Sequence, residues 1–267
     1  GTDRFDDLYV GFERDEFVPR KTVGAQELIL NLLKERAETG RIYIMNIDHC
    51  NSHSSFKDKV EMSNLCQEIT LPTYPLQHID GDGEIALCIL SAINVGKVNS
   101  DKELEEMCDL TVRSLDELID YQDYPVKAAE VATKARRSLG VGVIGLAHYL
   151  AKLGFNYDSQ EAWDAVHLLS ESFQFFLLKA SNKLATEKGY CEYFGRTKYA
   201  DGVLPIDTYK SDVDEISCQK LIHDWEGLRK NIQETGLRHS TLSAQMPSES
   251  SSVVSNATNG IEPPRAL

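Results

Sequence analysis

The stretch Ser63-Asn64-Leu65-Cys66-Gln67-Glu68 places an amide, a thiol and a carboxylate on alternate positions. In an extended strand or a hairpin loop, alternate side chains project from one face, so three chemistries would share one surface. Asn64 can orient a hydroxyl, Cys66 can act as a nucleophile or one-electron centre, and Glu68 can take or give a proton. The competing reading is a half-buried strand with a core cysteine. A second thiol, Cys88, follows 22 residues after Cys66 in the apolar run 84–95, far enough on for the chain to turn back and bring the sulfurs close. Cys88 can equally be an ordinary small core residue.

A third constellation lies near the C-terminal end of the sequence. A short strand over 241–246 meets Pro247, then Ser248, Glu249, Ser250, Ser251 and Ser252 open a short helix that Asn259-Gly260 can end. Strand, hydroxyl-rich turn and helix start form an anion site, where free backbone N–H groups, serine hydroxyls and the helix dipole favour negative charge. A plain serine-capped helix is the alternative. Three further candidates carry less. His49 and His53 suit a metal only on a helix, and the Asn, Ser and Asp around them favour a turn. His223 beside Asp224 points away from it if both sit on a helix, which favours a packed histidine. Gly140-Val-Gly142-Val-Ile-Gly145 matches the dinucleotide pattern, yet a helix rather than a strand precedes it, so close backbone packing explains the glycines better.

Around these candidates the periodicity predicts the supporting elements. Residues 1–22 read as a loop or short helical entry, 24–40 as a helix stopped by Gly40, and 41–47 as a strand feeding a polar loop over 48–55. A turn over 79–83 leads into a strand over 84–95, apolar enough to be buried on both faces. Residues 100–189 read as helical throughout, with one helix over 101–120, another over 125–137, and a long one capped by Ser159 and ended by Gly189. After a loop over 201–205, residues 212–236 form an amphipathic helix carrying Cys218, His223 and Trp225.

Composition limits the partners. With 267 residues and 42% hydrophobic content the chain can bury a substantial core. A formal charge of −14 argues against non-specific nucleic-acid binding. No apolar run is long enough for a membrane helix, and the start carries no signal-peptide pattern, so a soluble, cytoplasmic protein is the expectation. Six cysteines, none in a C-x-x-C pair, fit neither a disulfide scaffold nor a structural zinc site, and no metal ligands are assigned.

The Asn64-Leu-Cys66-Gln-Glu68 motif, the apolar Gly83-Glu-Ile-Ala-Leu-Cys88 strand and the run from Pro247 through Asn259-Gly-Ile-Glu-Pro-Pro to Arg265 resemble, in order, the large catalytic subunit of class I ribonucleotide reductase. Arg136-Arg137-Ser-Leu-Gly-Val-Gly-Val is similar to its counterpart there. The resemblance implies an α/β fold: part of a ten-stranded α/β barrel with a central finger loop and a helix-rich outer layer. Residues 1–267 would form one partial barrel domain, with the finger loop near 60–70 and the phosphate turn near 243–260. It also implies reduction of ribonucleoside diphosphates by thiyl-radical chemistry for DNA precursor synthesis.

By resemblance, Cys66 carries the thiyl radical that removes the ribose 3′ hydrogen, Glu68 is the base on the 3′ hydroxyl, and Asn64 hydrogen-bonds the sugar. Cys88 is one half of the reducing dithiol, and Ser248, Glu249, Ser250 and Ser251 hold the substrate diphosphate. The cofactor implied is a dimetal site with a tyrosyl radical in a partner small subunit. ATP and deoxynucleotide effectors act on the full-length subunit, itself a homodimer, and thioredoxin or glutaredoxin is the reductant. The partner thiol, effector loops, radical-path tyrosines and C-terminal cysteine tail are missing from these 267 residues, so the expectation is a fragment or one piece of a split subunit, inactive alone and needing the other large-subunit segments. Two alternatives stay open: a non-catalytic interaction module marked by exposed apolar strand edges, and a nicotinamide oxidoreductase, which would need a strand before Gly140.

Overall fold

The structure, a computed structural model, describes residues 3–78, 83–217 and 219–264. Residues 1–52 and 53–267 form two compact units. The first unit carries helices α1 (Asp3–Arg14) and α2 (Ala25–Thr39), followed by α3 (Ile47–His53), which ends at the boundary. Gly40 ends α2 in the left-handed conformation, its N–H donating to the Arg36 carbonyl, as the sequence predicts. Residues 41–46 are not a strand. A β-branched run becomes one only where a neighbour pairs with its backbone, and none does so here among the described residues. The polar stretch after it is also not a loop, because Ile47 and its followers wind into α3.

The second unit is organised on a parallel pair of strands, β1 (Ile89–Asn94) and β2 (Leu139–Ile144), in register from Ile89↔Leu139 to Asn94↔Ile144. The crossover between them is α4 (Asp101–Tyr121) and α5 (Lys127–Arg136), as a parallel connection requires. After β2 come α6 (Leu146–Leu153) and the long α7 (Gln160–Lys188). Ser100 and Ser159 cap α4 and α7 by accepting from Glu103 N–H and Ala162 N–H. Leu104, Cys108, Val112, Leu115 and Ile119 recur at helical spacing along α4 and bury against Leu177, Leu178 and Leu184 of α7 and Leu139 and Val141 of β2. Each such leucine contributes roughly 1.5–3 kcal/mol by leaving water. No helix among the described residues is long and apolar enough to cross a membrane.

Several expectations change. The glycine-rich stretch is itself the strand β2, buried along its whole length, so residues 100–189 are not helical throughout. Only 89–94 of the predicted 84–95 strand pairs regularly. It is not buried on both faces, since β2 covers one edge and Leu90 remains exposed. Residues 212–236 are two helices, α9 (Val213–Ile216) and α10 (Trp225–Thr235), the second started by the Asp224 side chain accepting from Gly227 N–H. Between 201 and 212 the chain also forms the short α8 (Pro205–Thr208). Residues 241–246 run beside β2 through Leu139 N–H to Thr241 O and Val141 N–H to Leu242 O, with one parallel bridge instead of a regular strand. The last helix, α11, is Glu249–Val254, and ends before Asn259-Gly260 is reached. Most of the predicted 79–83 turn, Cys218 and Arg265 lie outside the described residues.

Candidate functional site

Residues 64–68 form a tight turn, not an extended strand. Gln67 N–H donates to the Asn64 carbonyl at 3.3 Å, and Gln67 and Thr70 take φ of +60° and +43°. The Asn64 side chain itself fixes the loop, its Oδ1 accepting from Thr70 N–H at 3.3 Å. The alternation that would align three side chains on one pleated face is therefore lost, and the loop alternative describes the geometry. Leu65 projects into solvent at 85% exposure, whereas Cys66 and Glu68 are half-buried.

Asn64 and Cys88 line one cavity of about 560 Å³, between the loop and the segment that enters β1, with Leu71, Tyr74 and Glu84 in its wall. Cys66 is not among its lining residues. Cys88 packs against β2 at Gly140, where an added Cβ would lie 2.9 Å from its Sγ. Burial, and then the nearby Glu68 carboxylate, push the Cys88 thiol up to about 12, so it holds its proton at neutral pH. Glu68 Oε2 is shut off from solvent and meets no hydrogen-bond donor among the described residues. A buried carboxylate oxygen left unpaired is an acceptor in waiting, since most such atoms in folded proteins are satisfied.

Four charged residues to which the sequence analysis gave no role hold this cavity's frame. Arg136, at the end of α5 and 2% exposed, donates from Nε to Glu84 at 2.6 Å and lies 2.9 Å from Asp58. Arg196 closes the ring, 2.8 Å from Asp58 and 3.2 Å from Glu84. Asp58 precedes the Cys66 loop and Glu84 precedes Cys88, so the ring ties together the two segments that carry the thiols. Its signal was the pair Arg136-Arg137 at a helix end with no acidic residue close enough in sequence to serve both.

Ser248 is buried, and its hydroxyl donates to Asn259 Oδ1 at 2.9 Å, while Ser252 Oγ donates back to the Glu249 carbonyl at 2.8 Å. The serine hydroxyls thus do not all converge. Glu249, Ser250 and Ser251 are exposed at the start of α11, where the first-turn N–H groups have no intrahelical acceptor. None of Ser248, Glu249, Ser250 and Ser251 lines the thiol cavity.

The other candidates resolve simply. His49 and His53 do lie on a helix, α3, contrary to expectation, and His53 Nδ1 sits 2.5 Å from the Thr208 carbonyl. Among the described residues no group of three or more His, Cys, Asp or Glu is placed to hold a metal ion. His223 precedes α10, stacks on Phe175 with centroids 4.5 Å apart and pairs with Ser172 Oγ at 2.8 Å, a packed histidine. The glycines of β2 serve close packing: a Cβ at Gly142 would lie 2.4 Å from the Ala244 carbonyl. With α5 rather than a strand before Gly140, the nicotinamide alternative has no phosphate cradle here.

A parallel strand pair joined by a helical crossover, with Asn64 and Cys88 lining a cavity beside it, defines a mixed α/β protein. The chain belongs to the ribonucleotide reductase barrel-domain family, whose model matches residues 1–267. It is 60% identical to ribonucleoside-diphosphate reductase subunit alpha of Haemophilus influenzae, over 98% of this chain and 35% of that protein. Ribonucleoside-diphosphate reductase 1 subunit alpha of Escherichia coli is 54% identical and the subunit alpha of Enterobacteria phage T4 46%, again over 98% of this chain and 35% of each relative. The chain spans about a third of the length of these relatives.

Proposed function

We propose that this chain is the segment of a ribonucleoside-diphosphate reductase α subunit that carries its reducing chemistry. The observation that carries this reading is the cavity where Asn64 and Cys88 meet and beside which the Glu68 oxygen stands unpaired. In this reading Cys66 is the radical-bearing thiol that abstracts the 3′ hydrogen of a ribonucleoside diphosphate. Glu68 accepts the 3′ hydroxyl proton, and Asn64 orients the sugar. Cys88, protonated at neutral pH, supplies a hydrogen for the 2′ position together with a second thiol from elsewhere in the subunit, the pair ending as a disulfide. Ser248, Glu249, Ser250 and Ser251 hold the diphosphate at the start of α11.

β1 and β2 are then two strands of a ten-stranded barrel whose finger is the 60–70 loop. The exposed side of β1 is where another strand pairs. The radical originates on a dimetal-tyrosyl centre in a separate small subunit. The remaining α-subunit segments, a second α subunit, nucleotide effectors and a thioredoxin or glutaredoxin complete the assembly.

Joining the chain to the remainder of a relative's α subunit, with that relative's small subunit and dithiothreitol, tests this reading. Reduction of a nucleoside diphosphate is expected, and Cys66→Ser abolishes it while diphosphate binding persists. Turnover unchanged in Cys66→Ser removes Cys66 from the chemistry.

A further inference from the structure

Three segments meet at the thiol site, and a member of the ion-pair ring stands just ahead of each. Asp58 lies six residues before Asn64, Glu84 four before Cys88, and Arg136 four before Gly140, against which the Cys88 sulfur packs. Glu84 also lines the cavity with Asn64 and Cys88. Arg136 is the hub. Its Nε donates to Glu84 Oε2 at 2.6 Å and its Nη2 lies 2.9 Å from Asp58 Oδ2, with 2% of its surface exposed. A planar fork that reaches two carboxylates at once fixes the distance between them, which a lysine, a point charge on a flexible stem, does not.

The ring is also braced by contacts that do not depend on its charges. Both guanidiniums stack on Tyr193, at 5.2 Å for Arg136 and 4.2 Å for Arg196, while Phe56 and Tyr74 each cover one of them at 5.8 and 5.1 Å. Lys57 N–H donates to the Arg196 carbonyl at 2.9 Å and Lys198 N–H to the Ser55 carbonyl at 2.7 Å, so backbone pairing holds the chain beside Asp58. For stability alone a buried ring of charges is a poor device, because desolvation offsets most of the attraction. What it adds is geometry.

We infer that Arg136 is a positioning residue for the reduction, holding the Cys66 loop and Cys88 at the separation that lets two thiols act in turn on one substrate. This role rests on the proposed assignment of Cys66 and Cys88 as the reacting thiols. Displacement of a reacting group by about 1 Å can cost about 10²-fold in rate, so a small loosening of the ring is enough to be seen.

Variants are assayed in the chain joined to the rest of a relative's α subunit, with that relative's small subunit and dithiothreitol. Turnover of the unsubstituted chain that Cys66→Ser abolishes comes first; without it the assignment of the thiols fails and takes this role with it. Arg136→Lys keeps the charge and loses the fork. Its kcat per folded molecule should fall about 10–100-fold, with KM for the diphosphate changed less than about twofold. A nucleoside diphosphate tritiated at the 3′ carbon separates positioning from folding. Tritium taken by Cys66 returns to that carbon in a completed cycle, but exchanges with water from a thiol left waiting for Cys88. Tritium released per deoxynucleotide formed should therefore rise. Asp58→Asn gives the same test if Arg136→Lys folds poorly: Asp58 Oδ2 meets both arginines at ion-pair distance without hydrogen-bond alignment, so the amide removes those contacts at the same shape. An unchanged kcat per folded molecule in either variant overturns the inference, as does a lower kcat with tritium release per product unchanged.

Discussion

Two carboxylates, buried Asp116 and half-buried Glu68, live under opposite rules. Asp116, fully buried on α4, accepts from Arg137 Nε at 2.6 Å, Arg238 Nε at 3.1 Å and His239 Nε2 at 3.2 Å, with Lys188 at 3.4 Å. His239 in turn pairs through Nδ1 with Ser181 Oγ at 2.9 Å, so a neutral imidazole satisfies both sides. Both carboxylate oxygens are engaged, and the cluster pins Arg238 and His239 where the chain leads into the 241–246 segment beside β2. Glu68 instead leaves one oxygen unpaired beside a thiol. A saturated carboxylate holds a fold, whereas an unsaturated one still has a hydrogen bond to accept.

That contrast can be broken from either side. In the assembled α subunit, Glu68→Gln should slow nucleoside diphosphate reduction about 10²–10⁴-fold while shifting the urea midpoint little, as general-base loss does. Asp116→Asn should do the reverse through lost stability, about 3–5 kcal/mol by urea unfolding, since it strips Arg238 of its carboxylate and leaves Arg137 only the half-exposed Asp120. A rate collapse with unchanged stability in Asp116→Asn would erase the distinction.

Acid sharpens it. Burial, outweighing the Asp116 contacts, holds the His239 imidazole down to about 4 from 6.5. Burial alone would raise Asp116, but the His239 hydrogen bond and the Arg137 charge outweigh it and hold the carboxyl below its usual range. Both folded-state values are depressed, so the unfolded chain binds the extra proton. The contribution of His239 is complete above 6.5 and is lost as pH falls toward about 4, on the order of 3 kcal/mol, with that of Asp116 following at lower pH. Urea midpoints across that window should fall, and His239→Asn should flatten the slope.

Smaller effects come from the frame. Arg196→Gln opens the four-residue ring at its more exposed corner, for a loss of about 1–2 kcal/mol in urea unfolding. Glu68→Gln removes the second of the two causes that keep the Cys88 thiol protonated. Alkylation of the Cys88 peptide, read by mass spectrometry at alkaline pH, should then quicken about two- to threefold.

Much of the helical layer was legible because its signals are local. Ser159, Gly40 and the apolar repeats of α4 and α7 declare caps and faces within a few residues. The strands were not, because a strand is defined by its neighbour. Residues 41–46 have the composition without the pairing, while Leu139–Ile144 has the pairing with a glycine-rich composition that does not announce a strand. At the site, the residue types of Asn64, Cys66, Glu68 and Cys88 announced chemistry. Their arrangement did not follow from alternation, because Gln67 and Thr70 adopt positive φ and curl the segment. The Asp58–Glu84–Arg136–Arg196 ring joins residues up to 138 apart, from Asp58 to Arg196, and leaves no periodic trace.

Gly140 sets where the Cys88 sulfur can sit. Two hydrogens on its Cα are all that separates the backbone of β2 from the Cys88 sulfur, and a methyl there would also meet Leu90 at 2.5 Å. The thiol's address is thus written by an atom the chain omits. Gly140 works as the seat against which the sulfur is gauged, and any side chain placed there would act as a shim that lifts Cys88 toward the loop.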